Sequence, residues 1–135
     1  MEVYKKSYTG FVIWLIGFCV VVVGACFLPN LGTQLTLAVV DNASTIGIFI
    51  LTLLIYQTES VYWYNGTSYE DAKAVGSERR KAFALAHMKR FGYFALIFLA
   101  YSVVSLMVGI PYGFDVAIAC AGILIVALST IKLKL

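Results

Sequence analysis

The sequence predicts an all-α integral membrane protein: four transmembrane helices in an antiparallel bundle, with a helical cytoplasmic loop between the second and the third. Three observations predict it. The chain of 135 residues is 61% hydrophobic and only 13% charged, about half the charged fraction of a soluble domain. Its apolar residues gather into segments long enough, at about 1.5 Å per residue, to cross a hydrocarbon core of about 30 Å. The 10 Lys and Arg residues all fall on one side of the map those segments draw.

The spans are expected at about residues 10–28, 35–56, 91–110 and 114–131, which leaves one domain over residues 1–135. Lys5 and Lys6 precede the first span. Lys73, Arg79, Arg80, Lys81, Lys89 and Arg90 lie between the second and third, and Lys132 and Lys134 follow the fourth. Positive charge marks the cytoplasmic face, so both termini and the central loop are expected inside a bacterial-type plasma membrane. The basic groups Arg79, Arg80, Lys81, Lys89 and Arg90 are then expected at anionic lipid headgroups, a result of topology that calls for no nucleic acid.

Span one carries Gly10, Gly17 and Gly24 at heptad spacing beside Phe11, Trp14 and Phe18. Seven-residue spacing keeps the glycines on one slowly drifting stripe, where a helix of the same chain or of another subunit can approach. Val23-Gly24-Ala25-Cys26 has the look of a lipoprotein signal, but three further spans already supply the anchor and Met1 begins the chain.

Pro29-Asn30-Leu31-Gly32 is a turn by composition, and Thr33 reads as the N-cap of the second helix. Two registers compete. If the helix re-enters at once, Leu35 to Tyr56 spans and Asp41 lies about two turns deep. If residues 31–42 lie along the outer surface, Ile46 to Tyr64 spans and Glu59 is the submerged acid. The short turn favours the first.

Along that helix five polar residues form one stripe. Gln34, Asp41, Thr45, Thr52 and Glu59 stand at offsets of 0, 7, 11, 18 and 25, which keeps them within about 40° of one another on a helical wheel. A carboxylate facing lipid is costly, so an ionisable group at that depth usually faces a protein interior or a hydrated path. The helix is expected to run on through Glu59 and Ser60 to Tyr64. There Tyr62, Trp63 and Tyr64 join Tyr4, Tyr8 and Tyr93 in an interfacial belt.

Asn65-Gly66 is a turn signal. Thr67 or Ser68, with Glu70 and Asp71 behind it, opens a short helix that runs through Ala74 and stops at Gly76. Ser77 then caps a helix from Glu78 to about Phe91, either flat in the headgroups or continuous with span three. Tyr101 and Ser105 share a stripe of span three with Arg90 and Tyr112, and Asp115, Ala119, Gly122, Val126 and Ser129 share one of span four. Facing the second helix, these would complete a polar seam of Gln34, Asp41, Thr45, Thr52, Glu59, Tyr101 and Ser105.

Other chemistry is sparse. Cys19 and Cys26 share a helix about 10 Å apart, too far to bridge, and His87 stands alone, so neither a metal nor another cofactor is expected. The sequons at Asn42 and Asn65 fall in a span and on the inner side, where neither is expected to be glycosylated. No nucleophile stands beside a base and no nucleotide fingerprint occurs, and Asp41 and Glu59, about 27 Å apart along one helix, cannot work as a catalytic pair. The expectation is a permeation or transport bundle, not an enzyme. One small chain can hardly enclose a pathway, so a homo-oligomer follows. The alternative is an accessory, immunity or assembly subunit of a membrane complex, whose polar residues bind helix to helix.

Overall fold

The structure, a computed structural model, describes residues 3–28, 32–64 and 66–135. The expected turn residues Pro29, Asn30 and Leu31, and Asn65 with its sequon, lie outside the described residues. All regular structure described is helical: α1 (Thr9–Cys26), α2 (Gly32–Thr58), a 3-10 turn (Val61–Trp63), α3 (Tyr69–Val75), α4 (Ser77–Val108) and α5 (Tyr112–Thr130). The helices α1, α2, α4 and α5 are each long and apolar enough to cross a membrane.

The central helix is α2, which packs against α1, α4 and α5, while α4 also packs against α5. It is unbroken from Gly32 to Thr58, so Asp41 sits inside a long helix and not on a separate surface helix. Of the polar stripe, Asp41, Thr45 and Thr52 are buried. Two details differ from expectation. The helix begins at Gly32, placing Thr33 inside its first turn, and it ends before Glu59. Glu59 adopts a left-handed φ of 57°, and the Ser60 amide donates to the Ile55 carbonyl at 3.2 Å. That bond closes a Schellman-type stop, a position that favours glycine, so Glu59 is held there by its side chain.

Ser68 caps α3 by accepting from the Asp71 amide at 3.1 Å. Gly76, at φ 82°, turns the chain directly into α4. The latter is one helix of 32 residues, about 48 Å long, so the basic segment rises as an extension of the third span. It ends where Gly109 adopts φ 83° and where the amides of Gly109 and Ile110 both donate to the Ser105 carbonyl. Pro111 follows and opens α5.

Within the chain, the glycines of the α1 stripe are not the ones in closest contact. No atom lies within 4 Å of a Cβ built on Gly17 or Gly24, and Gly10 meets only the Trp63 ring. The glycines under close contact are Gly47 of α2, Gly92 of α4 and Gly122 of α5, each covered by a phenylalanine ring: Phe18, Phe49 and Phe94. Heptad spacing located a face of α1, but the close approach is ring onto backbone, and the neighbour's phenylalanine decides its place.

Candidate functional site

The polar residues separate into two sites. One lies at the basic end, where the chain's start, the segment after α2 and the start of α4 converge. Its centre is Glu59, whose carboxylate accepts from Ser77 Oγ at 2.7 Å and from Arg80 Nε at 2.9 Å, with Lys81 Nζ at 3.7 Å. Arg80 is only 4% exposed. Its Nη1 donates to the Ala72 carbonyl at 3.0 Å, and its guanidinium lies 4.0 Å from the Tyr4 ring centroid. Burial pushes the Glu59 carboxyl up, but the Ser77 and Arg80 hydrogen bonds and the charges of Arg80 and Lys81 together hold it below its ordinary range. Burial pushes the Tyr4 phenol up to about 12, against the pull of Arg80.

The chain's first residues are fastened here. Tyr4 donates to the Glu59 carbonyl at 2.7 Å. Tyr62 both accepts from the Ser7 amide at 2.7 Å and donates to its carbonyl at 2.8 Å, and Tyr69 donates to the Tyr4 carbonyl. These contacts revise three expectations. Glu59 is not a rung of the seam along α2, because the helix stops before it. Tyr4 and Tyr62 belong to a packed cluster and not to an interfacial belt. Arg80 is not a headgroup contact, because it is buried against Glu59.

Its neighbours divide as well. Arg90 donates to the Ser129 carbonyl, where a cation complements the end of α5, and Arg79 donates to the Leu135 carbonyl at 3.1 Å. Lys81 and Lys89 have exposed side chains.

The second site lies between α2, α4 and α5, toward their other end. Asp115 is 3% exposed and Ser105 is fully buried. Ser105 Oγ shares its single hydrogen between the Asp115 oxygens at 2.7 and 2.9 Å, and Tyr101 Oη donates to Oδ1 at 2.9 Å. The stop of α4 and the start of α5 create this geometry. Ser105 anchors the final turn through its carbonyl and Asp115 lies in the first turn of α5, where the helix dipole favours a negative charge.

Asp41 reaches the same junction from α2. It is 8% exposed, and its Oδ2 is buried without a hydrogen-bond partner. Its neighbour Asn42 reaches Ser102, one turn before Ser105 on α4, which sets Asp41 on the level of the Ser105–Asp115 cluster. Asn42 Nδ2 donates to Ser102 Oγ at 2.9 Å and to the Ala38 carbonyl at 2.8 Å, leaving its own Oδ1 buried and unpartnered. Seven residues earlier, about 10 Å along the axis, Gln34 donates to the Ile110 carbonyl at 3.1 Å and ties the start of α2 to the α4–α5 connection.

Of the seven expected seam residues, Tyr101 and Ser105 meet Asp115, Asp41 is buried beside Asn42 near that cluster, and Gln34 bonds to the α4–α5 connection. Thr45 and Thr52 instead bond to carbonyls of their own helix, at Asn42 and Phe49. Asp115, Asn42 and Ser102 were not among those seven. Asp115 was visible as a member of the α5 stripe, but an acid in the first turn of a helix has an ordinary local reading. Asn42 lies one position off the stripe and shows itself only through Ser102.

A groove of about 620 Å³ lies elsewhere, between α1 and α2, bounded by Gly10, Gly17, Val21, Ala43, Gly47 and Leu54. It is apolar throughout. Comparison with protein-family models, curated proteins and solved structures found no match, so chemistry is read from the site alone. Two carboxyl groups share a buried junction, only one of them is supplied with donors, and two acceptor oxygens there lack a partner.

Proposed function

We propose that this protein is a membrane-embedded permeation or transport bundle that works as a homo-oligomer and binds a proton or small cation at Asp41 and Asp115. In this reading the four apolar helices cross the bilayer, and the basic end, with both termini, is cytoplasmic. A single observation carries the reading: two acids are buried among α2, α4 and α5 and Asp41 Oδ2 has no partner. Two like charges buried together need a proton or cation between them. Intramembrane acids of that kind mark ion pathways more often than scaffolding. The Gln34–Ile110 bond would then be the closure to release on the outer side.

A specific observation favours a second reading. Below Asp41, the stripe residues Thr45 and Thr52 turn their hydroxyls onto their own helix. Phe98 and Ile55 are 2% and 1% exposed at the packed interior. Such a dry core suits an accessory, immunity or assembly subunit that transports nothing.

Flux of protons and small cations in proteoliposomes separates the two. Asp41→Asn should fold, since the amide is nearly isosteric and keeps hydrogen-bonding capacity, and should lose roughly tenfold or more of the flux, the equivalent of ~1.4 kcal/mol. Equal flux from folded wild type and variant would remove the carboxyl group from the mechanism. Absence of flux from both would leave the accessory subunit as the reading.

A further inference from the structure

The two acids of this site are not equivalent. Asp115 accepts from two hydroxyl groups, Tyr101 and Ser105, and stands in the first turn of α5. Its oxygens are thus supplied with donors from α4. Asp41 lies mid-helix, more than nine-tenths buried, with a carboxyl oxygen that no donor reaches. When two titratable groups in one site are given such opposite surroundings, their protonation states are driven apart.

We infer that the species bound here is a proton, held on Asp41, while Asp115 keeps the hydrogen bonds of Tyr101 and Ser105; this rests on the reading of the pair as an ion site. Loading adds one proton to the Asp41 carboxylate, forms one O–H bond, and removes one negative charge. The carboxyl group gains the donor its surroundings call for. Unloading returns that proton to water when the Gln34–Ile110 closure opens, and no other bond changes.

The groups packed against the pair fit a proton better than a metal ion. From α4 come Tyr101, Ser102 and Ser105, from α5 Asp115, and from α2 Asn42 and Thr45. Tyr101 and Ser105 donate to Asp115, Thr45 donates to a backbone carbonyl, and Ser102 is engaged by Asn42. A metal ion must gather several oxygens at once, whereas a proton needs only the free oxygen of Asp41. Among the described residues no group of three or more His, Cys, Asp and Glu is placed to hold a metal. The two ion pairs among them both belong to Glu59, so no Lys or Arg is paired with Asp41 in place of a proton.

Infrared spectroscopy of the full chain in lipid vesicles, with aspartate carboxyl carbons isotopically labelled, tests this without reference to flux. At neutral pH the wild type should show a protonated carboxylic C=O band that shifts with the aspartate label. Asp41→Asn should abolish it. Asp115→Asn should keep it. No such band in folded wild type, or a band lost in Asp115→Asn and kept in Asp41→Asn, would overturn the assignment. A band assigned to Asp41 with no flux in the proteoliposomes would uphold the proton site and sink transport. Flux without the band would do the reverse.

Discussion

The basic end and the α2–α4–α5 junction hold the molecule's two buried acid clusters, and they are built in opposite ways. Around Glu59, the first turns of α4 supply the donors, and the acid has a guanidinium, a hydroxyl and an ammonium beside it. Asp41 has no part in either ion pair among the described residues, and its Oδ2 and the Asn42 Oδ1 beside it lack donors. A carboxylate supplied with cations is a fastener, because its energy comes from partners already present. A carboxyl left short of donors is held in place by the packing around it and still has something to bind. Burial alone does not distinguish the two, but the count of donors does.

The largest effect that can break this contrast is Arg80→Ala. The substitution leaves the half-buried Glu59 carboxylate without its guanidinium, frees the Ala72 carbonyl and removes the plate on which Tyr4 lies. Loss of one partner of a buried ion pair costs about 3–5 kcal/mol, and the chain's first residues should detach with it. Unfolding in detergent would report the loss, and protease cleavage near Ser7 the detachment. Asp41→Asn should cost far less, because no hydrogen bond at Oδ2 is lost. Comparable destabilisation by both would erase the distinction between fastener and binding group.

How much of this was legible depended on the range of the interactions. The spans and the inward stripe of α2 followed from composition and helical period, which are local. That Asp41 lies within one unbroken helix followed from the short turn before it and the apolar run from Leu35 to Tyr56. Which of Arg79, Arg80 and Lys81 turns inward was not legible, because it depends on where Glu59 sits, 21 positions before Arg80. The roles of Tyr4 and Tyr62 were hidden for the same reason, since their partners lie 55 positions away. An aromatic at a span end is read as interfacial unless such a partner is known. The junction was half legible: periodicity aligned Asp41, Ser105 and Asp115 on facing stripes, but no pattern in one sequence says which acid receives the donors.

A smaller effect sharpens the contrast between periodicity and contact. A Cβ added to Gly47 would lie 2.6 Å from the Phe18 ring, whose neighbour Trp14 donates to the Gly47 carbonyl at 2.8 Å. Gly47→Ala should therefore cost about 1–3 kcal/mol by overpacking, unless α1 shifts away. Gly17→Ala meets nothing and replaces a poor helix former, so it should be neutral or stabilising by up to about 1 kcal/mol. Thermal stability of the two variants in one detergent gives the comparison, and an equal loss in both would restore the heptad stripe as the packing face.

The smallest effect concerns the basic end's own exception. Tyr64 Oη is buried there without a partner, and its ring stacks on His87 with centroids 4.0 Å apart. Burial of His87, joined by the charge of Arg90, holds the imidazole below its ordinary value of 6.5, although the Phe83 carbonyl at 3.0 Å from Nδ1 pulls the other way. A depressed folded-state value means that the stack's contribution is complete above pH 6.5 and is lost as pH falls from there through the folded value. The slope can reach at most ~1.4 kcal/mol per pH unit. Glu59 is depressed as well, but its loss begins only below its own ordinary value of 4.5, so the two windows separate. His87→Phe keeps a ring in the stack and should flatten the decline in thermal midpoint between about pH 6.5 and about pH 5. Tyr64→Phe removes the stranded hydroxyl and should leave stability unchanged or raised. An identical slope in wild type and His87→Phe would show that another group carries the pH dependence, and marked destabilisation by Tyr64→Phe would mean that its hydroxyl is partnered after all.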